Sequence, residues 1–157
     1  MLRGINMKKR ILIAGIGNLL FTDEAIGVHV IKELAKQNLP EEVELVDIGT
    51  AIFELVRWME DKDKVIIVDT VLSDQPAGTI FKLSPEDLKT NENMFSASLH
   101  QFGVVEALES SALLGHRPEV VILGVVPKDY QSLGTELTDE LRQSIPKIVQ
   151  VILREIK

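Results

Sequence analysis

The stretch Ile11-Leu-Ile-Ala-Gly-Ile-Gly-Asn-Leu-Leu-Phe-Thr-Asp-Glu-Ala-Ile-Gly-Val28 decides the fold of this chain. It contains a short apolar run, a turn broken by glycines and the charged start of a helix, which is how α/β proteins present side chains at the end of a strand. Thr22 is predicted to cap the helix, and Asp23 and Glu24 lie in its first turn. These two acids are therefore either capping residues or members of a functional site.

Further short apolar runs rich in β-branched residues predict five strands in total. The predicted strands are Arg10–Ala14, Val43–Val46, Val65–Val68, Thr79–Leu83 and Val120–Val126. Apolar residues at three- and four-residue spacing predict helices over 26–34, 52–59, 104–113 and 137–156. The last of these helices is expected to bend near Pro146.

The alternation of strands and helices predicts an α/β fold of three layers, α/β/α. A five-stranded, mostly parallel, twisted sheet would lie between helices on both faces. The strand Thr79–Leu83 is the predicted antiparallel exception, because residues 70–78 are too few for the crossover that a parallel strand needs. The polar segment Ser84–Ser98, headed by Pro85, is expected to be a surface excursion.

Composition limits the class of protein. The length of 157 residues predicts a single domain over 1–157, with residues 1–6 as an unstructured extension. The absence of cysteine excludes disulfides and thiolate chemistry and agrees with a cytoplasmic location. A net charge of −7 argues against a nucleic-acid partner. No apolar run approaches the roughly 20 residues that cross a bilayer, so membrane insertion is not expected.

Acidic residues follow three of the predicted strands. Glu24 lies after the first strand, Asp47 after the second and Asp69 after the third. Because the carboxyl ends of parallel strands meet at one edge, these acids would repel one another unless a cation or shared protons compensate. His100, at the start of the third helix, can complete a set of two carboxylates and one imidazole. Such an open site suits nickel, zinc, manganese or iron.

Each candidate also has a structural interpretation. Glu24 would favour the helix dipole in any case, and Asp47 can cap the turn that follows it. An unpaired carboxylate at the position of Asp69 would be costly, which favours a site role there. His29 falls inside the first helix and His116 in a loop, so both are predicted to be packing or surface residues.

A nicotinamide-binding domain is an alternative interpretation of the opening stretch. Gly15-Ile-Gly-Asn-Leu-Leu20 begins like the fingerprint Gly-x-Gly-x-x-Gly, and Asp47 ends the second strand where a ribose-binding acid would lie. The third glycine is absent, and Leu20 and Phe21 would crowd a pyrophosphate. An oxidoreductase is therefore the weaker interpretation.

Four pieces of the sequence, in order, resemble the [NiFe]-hydrogenase maturation endopeptidases. The first is the signature over 15–28, and the others are Asp47-Ile-Gly-Thr-Ala51, Val68-Asp-Thr70 and Ser98-Leu-His-Gln-Phe-Gly103. With Gly124-Val-Val-Pro127 on the last strand, the resemblance extends from Arg10 to Pro127.

The resemblance implies a cytosolic endopeptidase that removes the carboxy-terminal extension of the [NiFe]-hydrogenase large-subunit precursor after nickel insertion. The family's metal-contacting trio falls on Glu24, Asp69 and His100, and the nickel would be carried by the substrate, although another divalent metal could substitute. Asp47 is carried over as a catalytic or specificity residue, beside Glu24 and Asp69 as catalytic candidates. A non-catalytic factor that binds nickel or the precursor is the alternative.

Further expectations concern the turns. Many family members have Asp-Gly-Gly-Thr where this chain has Asp47-Ile-Gly-Thr50, and Ile48 cannot easily adopt positive φ, so this turn is expected to differ in shape. Gly15 and Gly17 are expected to make room for a substrate-borne metal centre and its peptide. Asp23 is expected to keep a helix-capping role.

Overall fold

The computed structural model describes residues 8–90 and 99–157, with side chains over 8–89 and 103–157. The extension predicted at residues 1–6 lies outside the described residues. The strands are β1 (Ile11–Ile16), β2 (Val43–Gly49), β3 (Lys64–Thr70), β4 (Ile80–Leu83) and β5 (Glu119–Val125). The helices are α1 (Ile26–Leu34), α2 (Glu54–Trp58), α3 (Pro85–Thr90), α4 (Leu99–Leu113) and α5 (Asp139–Glu155). A 3-10 turn, Thr22–Ala25, leads into α1.

The strands form one five-stranded sheet in the order β2-β1-β3-β5-β4. β1 runs parallel to β2 and β3, and β3 runs parallel to β5. β4 pairs antiparallel with β5. The predicted exception in a mostly parallel sheet is therefore confirmed, since the short connection from β3 to β4 cannot make a parallel crossover.

Helices cover both faces of the sheet, as the three-layer prediction requires. On one face, α1 and α5 pack with Ile11 and Ile13 of β1. On the other face, α2 and α4 pack with Leu12 and Ala14. Because successive side chains of a strand point to opposite faces, the continuous apolar run of β1 contributes to both halves of the core. In the described ranges, none of the helices combines the length and hydropathy that spanning a membrane requires.

The start of the predicted surface excursion is helical. Ser84 and Asp87 bond each other's backbone: the Ser84 N–H donates to Asp87 Oδ2 at 2.8 Å, and the Asp87 N–H donates to Ser84 Oγ at 3.3 Å. This reciprocal cap, with Pro85 at the first helical position, starts α3, a helix that the sequence analysis did not predict. Residues 91–98 of the same excursion lie outside the described residues.

A buried lysine joins the end of α5 to the amino-terminal edge of the sheet. Lys64 Nζ donates to the Glu155 carbonyl at 2.9 Å and to the Glu155 carboxylate at 2.8 Å, and it lies 3.1 Å from Glu119 Oε2. Burial lowers the pKa of Lys64, but the hydrogen bonds to the two glutamates outweigh it and leave the pKa raised. The hydrogen bond from Lys64, followed by that from Lys82, lowers the pKa of Glu155. The charge of Lys64 therefore stabilises those of Glu119 and Glu155 at the point where the last helix ends.

Candidate active site

Asp69 lies at the carboxyl end of a central strand. Its side chain is 5% exposed, and its Oδ1 accepts a hydrogen bond from the Thr70 N–H at 2.7 Å. A small pocket beside it is lined by Val71 and by Val104 of α4. The prediction that Asp69 lies at the end of a buried strand is therefore confirmed. Its carboxylate is largely withdrawn from water. In such a buried position, contacts with cations or hydrogen-bond donors have larger energetic effects than at the surface.

The turn that carries Glu24 packs directly on the ends of β1 and β3. A Cβ on Gly17, whose φ is +148°, would lie 1.9 Å from the Glu24 carbonyl oxygen. A Cβ on Gly27 would lie 2.4 Å from the carbonyl oxygen of Val68, the residue before Asp69. Only glycines permit these approaches, so they place the Glu24 turn against the strand that ends in Asp69.

The expectation that Gly15 and Gly17 make room for a bound metal centre is wrong. The space that a Cβ on Gly15 would fill is taken by the Gly27 carbonyl of α1, 2.3 Å away. The corresponding space at Gly17 is taken by the backbone of Glu24. Both glycines serve the packing of the chain on itself, which sequence periodicity does not reveal.

Asp23 does not cap its own helix. Its side chain is fully buried, and its Oδ2 accepts the backbone N–H groups of Lys128 at 2.9 Å and Asp129 at 3.0 Å. Its Oδ1 accepts the Thr138 N–H at 2.8 Å, and the Thr138 hydroxyl also donates to the carboxylate. The expected local cap is therefore corrected to a long-range one, because Thr138 precedes the first residue of α5. The carboxylate fastens the Glu24 turn to the segment 128–138.

Thr22 adopts a backbone conformation that is unfavourable for a β-branched residue. Its φ is +51°, and it is the first residue of the 3-10 turn rather than the predicted cap before the helix. Its N–H donates to the Gly134 carbonyl at 3.0 Å and its hydroxyl to the Ser132 carbonyl at 2.6 Å. Such a conformation costs on the order of 1–3 kcal/mol and persists only where the surroundings enforce it. The contacts with 132–134 provide that enforcement two residues before Glu24.

Asp47 is exposed at the end of β2. Its Oδ1 accepts the Gly49 N–H at 2.9 Å, so the turn-capping interpretation of this residue is confirmed. Gly15 of β1 pairs with Asp47 on one side and with Val68 on the other, which places Asp47 and Val68 on the same face of the sheet. Asp69 therefore projects from the opposite face, at the same edge. A functional role for Asp47 stays a prediction.

Ile48 does not adopt positive φ, and a difference in turn shape from the family pattern stays a prediction. The positive φ of +59° falls on Gly49, the glycine that this chain shares with the family pattern. Ile48 is buried in the core on the α2/α4 face, at a bulge where the pairing of β1 with β2 shifts register. The departure from Asp-Gly-Gly-Thr is thus accommodated by packing, without a left-handed isoleucine.

His100 lies in the first turn of α4, and its side chain is outside the described residues. It precedes Val104, which lines the pocket beside Asp69, by one helical turn. A Cβ on Gly103 would touch the Ile52 side chain at 3.1 Å, so the start of α4 lies over the segment that follows β2. Among the side chains that the structure describes, no three His, Asp or Glu groups form a cluster able to hold a metal ion. The role of the predicted trio therefore stays a prediction.

His29 of α1 is half-buried, in agreement with a packing role. Its Nε2 is buried without a hydrogen-bond partner. Burial, and then the positive charge of Lys32, lower the pKa of His29, and a hydrogen bond with the Thr135 backbone opposes them. The neutral imidazole is therefore favoured in the folded chain.

Known proteins share both the sequence and the fold. The model of the hydrogenase maturation protease family matches residues 28–155. A putative hydrogenase maturation protease of Methanocaldococcus jannaschii is 35% identical over 154 residues, covering 96% of this chain and 98% of the relative. The hydrogenase 2 maturation protease of Escherichia coli is 38% identical over 128 residues, covering 78% of this chain and 76% of the relative.

Solved structures agree with these relatives. The hydrogenase maturating endopeptidase HybD of Escherichia coli superposes with a TM-score of 0.83 at 32% identity, covering 94% of this chain and 91% of that one. HybD of Thermococcus kodakarensis gives a TM-score of 0.79 at 28% identity, covering 94% and 99%. The fold is thus that of an endopeptidase, and the resemblance noted in the sequence is confirmed.

The chain belongs to the hydrogenase maturation protease family. Its activity is accordingly that of a peptidase, which decides against the nicotinamide-dependent oxidoreductase.

Proposed function

We propose that this peptidase removes the carboxy-terminal extension of a [NiFe]-hydrogenase large-subunit precursor once nickel has been inserted. Glu24, Asp69 and His100 would contact the nickel that the precursor carries, and so distinguish the loaded from the unloaded substrate. The observation that best supports this proposal is the packing of the Glu24 turn onto the end of the strand that delivers Asp69. The turn that carries Glu24 and the strand that ends in Asp69 thereby meet at one edge of the sheet.

The donor set fits a borderline divalent cation. Carboxylate and imidazole ligands suit nickel and leave coordination positions open for groups of the substrate. The precursor's metal would hold the scissile region in place and polarise either its carbonyl group or a water molecule. One carboxylate of this chain, Asp47 or a member of the trio, would take the proton from the attacking water. Another divalent metal in the precursor could serve if it accepts the same ligands.

Incubation of the enzyme with nickel-loaded and nickel-free precursor tests the proposal. Mass spectrometry should show a shortened large subunit only in the nickel-loaded sample. Glu24→Gln, Asp69→Asn and His100→Ala should each lower the rate by a factor of about 100 or more, given the usual size of acid–base and metal-ligand contributions. Asp74→Asn removes a charge from an exposed aspartate and should leave the rate unchanged.

The outcomes separate the alternatives. A precursor of unchanged length that nevertheless binds the enzyme would support a non-catalytic maturation factor. Equal cleavage of both precursors would refute the nickel gate while leaving the peptidase in place. Full activity of His100→Ala would remove that residue from the site. We propose that the reaction takes place in the cytoplasm, because the chain has no cysteine and so lacks the disulfides typical of proteins in oxidising compartments.

A further inference from the structure

A cluster of exposed apolar side chains flanks the Glu24 turn. Among the described residues, seven large hydrophobic side chains are exposed, and four of them lie on two segments, 19–20 and 130–133. These four, Leu19, Leu20, Tyr130 and Leu133, are 38 to 78% exposed and are called the apolar platform below. Leaving large apolar groups in water is unfavourable, and contiguous exposed groups of this kind mark interaction surfaces.

Hydrogen bonds between backbones keep the two halves of the platform side by side. The Gly134 N–H donates to the Leu20 carbonyl at 2.8 Å, and the Thr22 N–H donates to the Gly134 carbonyl at 3.0 Å. The Leu20 N–H donates to Asn18 Oδ1 at 3.0 Å. The side chains are thus presented to solvent by a bonded backbone, and a partner would lose little conformational entropy of the enzyme on binding.

The platform continues directly into the candidate active site. Leu20 precedes Glu24 by four residues, so their Cα atoms lie within about 14 Å of one another. A peptide bound to the platform would therefore lie close to the turn that carries Glu24. Of the other three exposed hydrophobic side chains, Phe53 lies beyond the end of β2, on the segment that follows Asp47, and Leu113 lies at the opposite edge of the sheet, before β5.

The charge next to the platform is negative. The segment 128–142 contains four acids, Asp129, Glu136, Asp139 and Glu140, and two cations, Lys128 and Arg142, so its net charge is −2. Lys128 is paired with Glu140 and Arg142 with Asp139. Backbone and side-chain hydrogen bonds from Ser132, followed by one from the Gln131 backbone, lower the pKa of Asp129, so this carboxylate remains charged in weak acid. The whole chain carries a net charge of −7. A partner segment with basic residues beside its apolar ones would complement this surface.

We propose that the apolar platform is the docking surface for the hydrogenase large-subunit precursor, and that it binds an apolar segment of the precursor flanked by basic residues. This inference rests on the proposed function and names the part of the enzyme that determines substrate affinity. The platform would hold the precursor while the carboxylates of the site act on it. Its loss should therefore raise KM and leave kcat unchanged.

Steady-state cleavage of the nickel-loaded precursor tests the docking surface. Leu20→Ser and Leu133→Ser should each raise KM roughly tenfold, the factor expected when a leucine no longer contributes its burial. Leu133→Met keeps an apolar side chain and should retain the wild-type KM. Glu136→Lys should raise KM several-fold at low salt and less at high salt. Leu113→Ser, the matched control at an 87% exposed leucine, should change neither constant.

The results distinguish this inference from the function on which it rests. If the wild-type enzyme does not cleave the loaded precursor, the proposed function and this inference are both overturned. If it does cleave and the serine variants keep the wild-type KM, only the docking surface is overturned. A control variant as impaired as the platform variants, a Leu133→Met variant as impaired as Leu133→Ser, or a Glu136→Lys variant with unchanged KM would overturn it as well. Melting temperatures of all variants should match the wild type, because the altered side chains are exposed.

Discussion

Replacing Asp23 by asparagine should destabilise the protein severely. The carboxylate accepts three partly buried backbone N–H groups, at 2.9, 3.0 and 2.8 Å, and asparagine has only one acceptor oxygen. The best orientation of the amide keeps the bonds from Lys128 and Asp129 and turns its NH₂ group toward the Thr138 N–H. An unsatisfied buried donor costs about 1–3 kcal/mol, and each remaining bond loses about 1 kcal/mol when its acceptor becomes neutral. The expected loss of unfolding free energy is therefore about 3–5 kcal/mol.

Thermal unfolding measures this loss. In a domain of this size 1 kcal/mol shifts the melting temperature by about 2–4 °C, so Asp23→Asn should melt roughly 10 °C below the wild type. Hydrogen exchange should quicken over 128–138, because the variant releases that segment. Asp74→Asn removes the same charge from an exposed position and should change stability by about 0.5 kcal/mol or less. An Asp23→Asn variant that melts within about 2 °C of this control would refute the reasoning, since a difference that small is within the range of surface substitutions.

Three further predictions concern single residues. Gly17→Ala would place a Cβ 1.9 Å from the Glu24 carbonyl oxygen and should lower the rate of precursor cleavage at least tenfold. The control is Gly115→Ala, at a glycine with φ +89° and open space around it, which should lower only the melting temperature. Because the pKa of Glu155 is lowered in the folded chain, its charge stabilises the fold above pH 4.5, the ordinary pKa of the group, and this contribution is lost as the pH falls further. In acid unfolding, the stability of Glu155→Gln should therefore depend less on pH below 4.5 than that of the wild type. The pKa of His29 is also lowered in the folded chain, so as the pH falls the unfolded chain takes up the proton first. The free energy of unfolding should therefore decrease as the pH drops below 6.5, and it should decrease less in His29→Gln. Urea titrations at pH 7 and pH 5 measure this difference.

The arrangement of strands follows from local sequence and chain length. Each strand is a short apolar run, and the direction of β4 follows from the few residues that connect it to β3. Asp69 could be placed because a carboxylate directly after a buried strand is at the sheet edge whatever the details of the turn. The start of α3 could also have been predicted from the sequence, because Ser84-Pro-Glu-Asp87 has the spacing of a reciprocal cap.

Contacts between distant segments could not be predicted in this way. The partners of Asp23 lie 105 to 115 residues further along the chain, between the last predicted strand and the start of the last predicted helix, where no local pattern indicates them. The same limit applies to Gly15 and Gly17, whose pattern is shared by glycines that face a ligand and glycines that face a helix. Sequence periodicity describes an element's own surface, and the neighbour that covers it depends on the assembled fold.

The bonds of Asp23 have a consequence for how specificity could diversify in this scaffold. Of its partners, only Thr138 contributes a side chain; Lys128 and Asp129 contribute main-chain N–H groups, which every residue except proline possesses. The side chains of Tyr130, Gln131 and Leu133 take no part in these bonds and can therefore be exchanged without disturbing the anchor that holds Glu24 in position. A combinatorial library over these positions should yield enzymes with altered substrate preference and the catalytic machinery of the parent. The side chains that we propose to bind the precursor would thus be separate in the chain from Glu24, Asp69 and His100, which we propose to act on it.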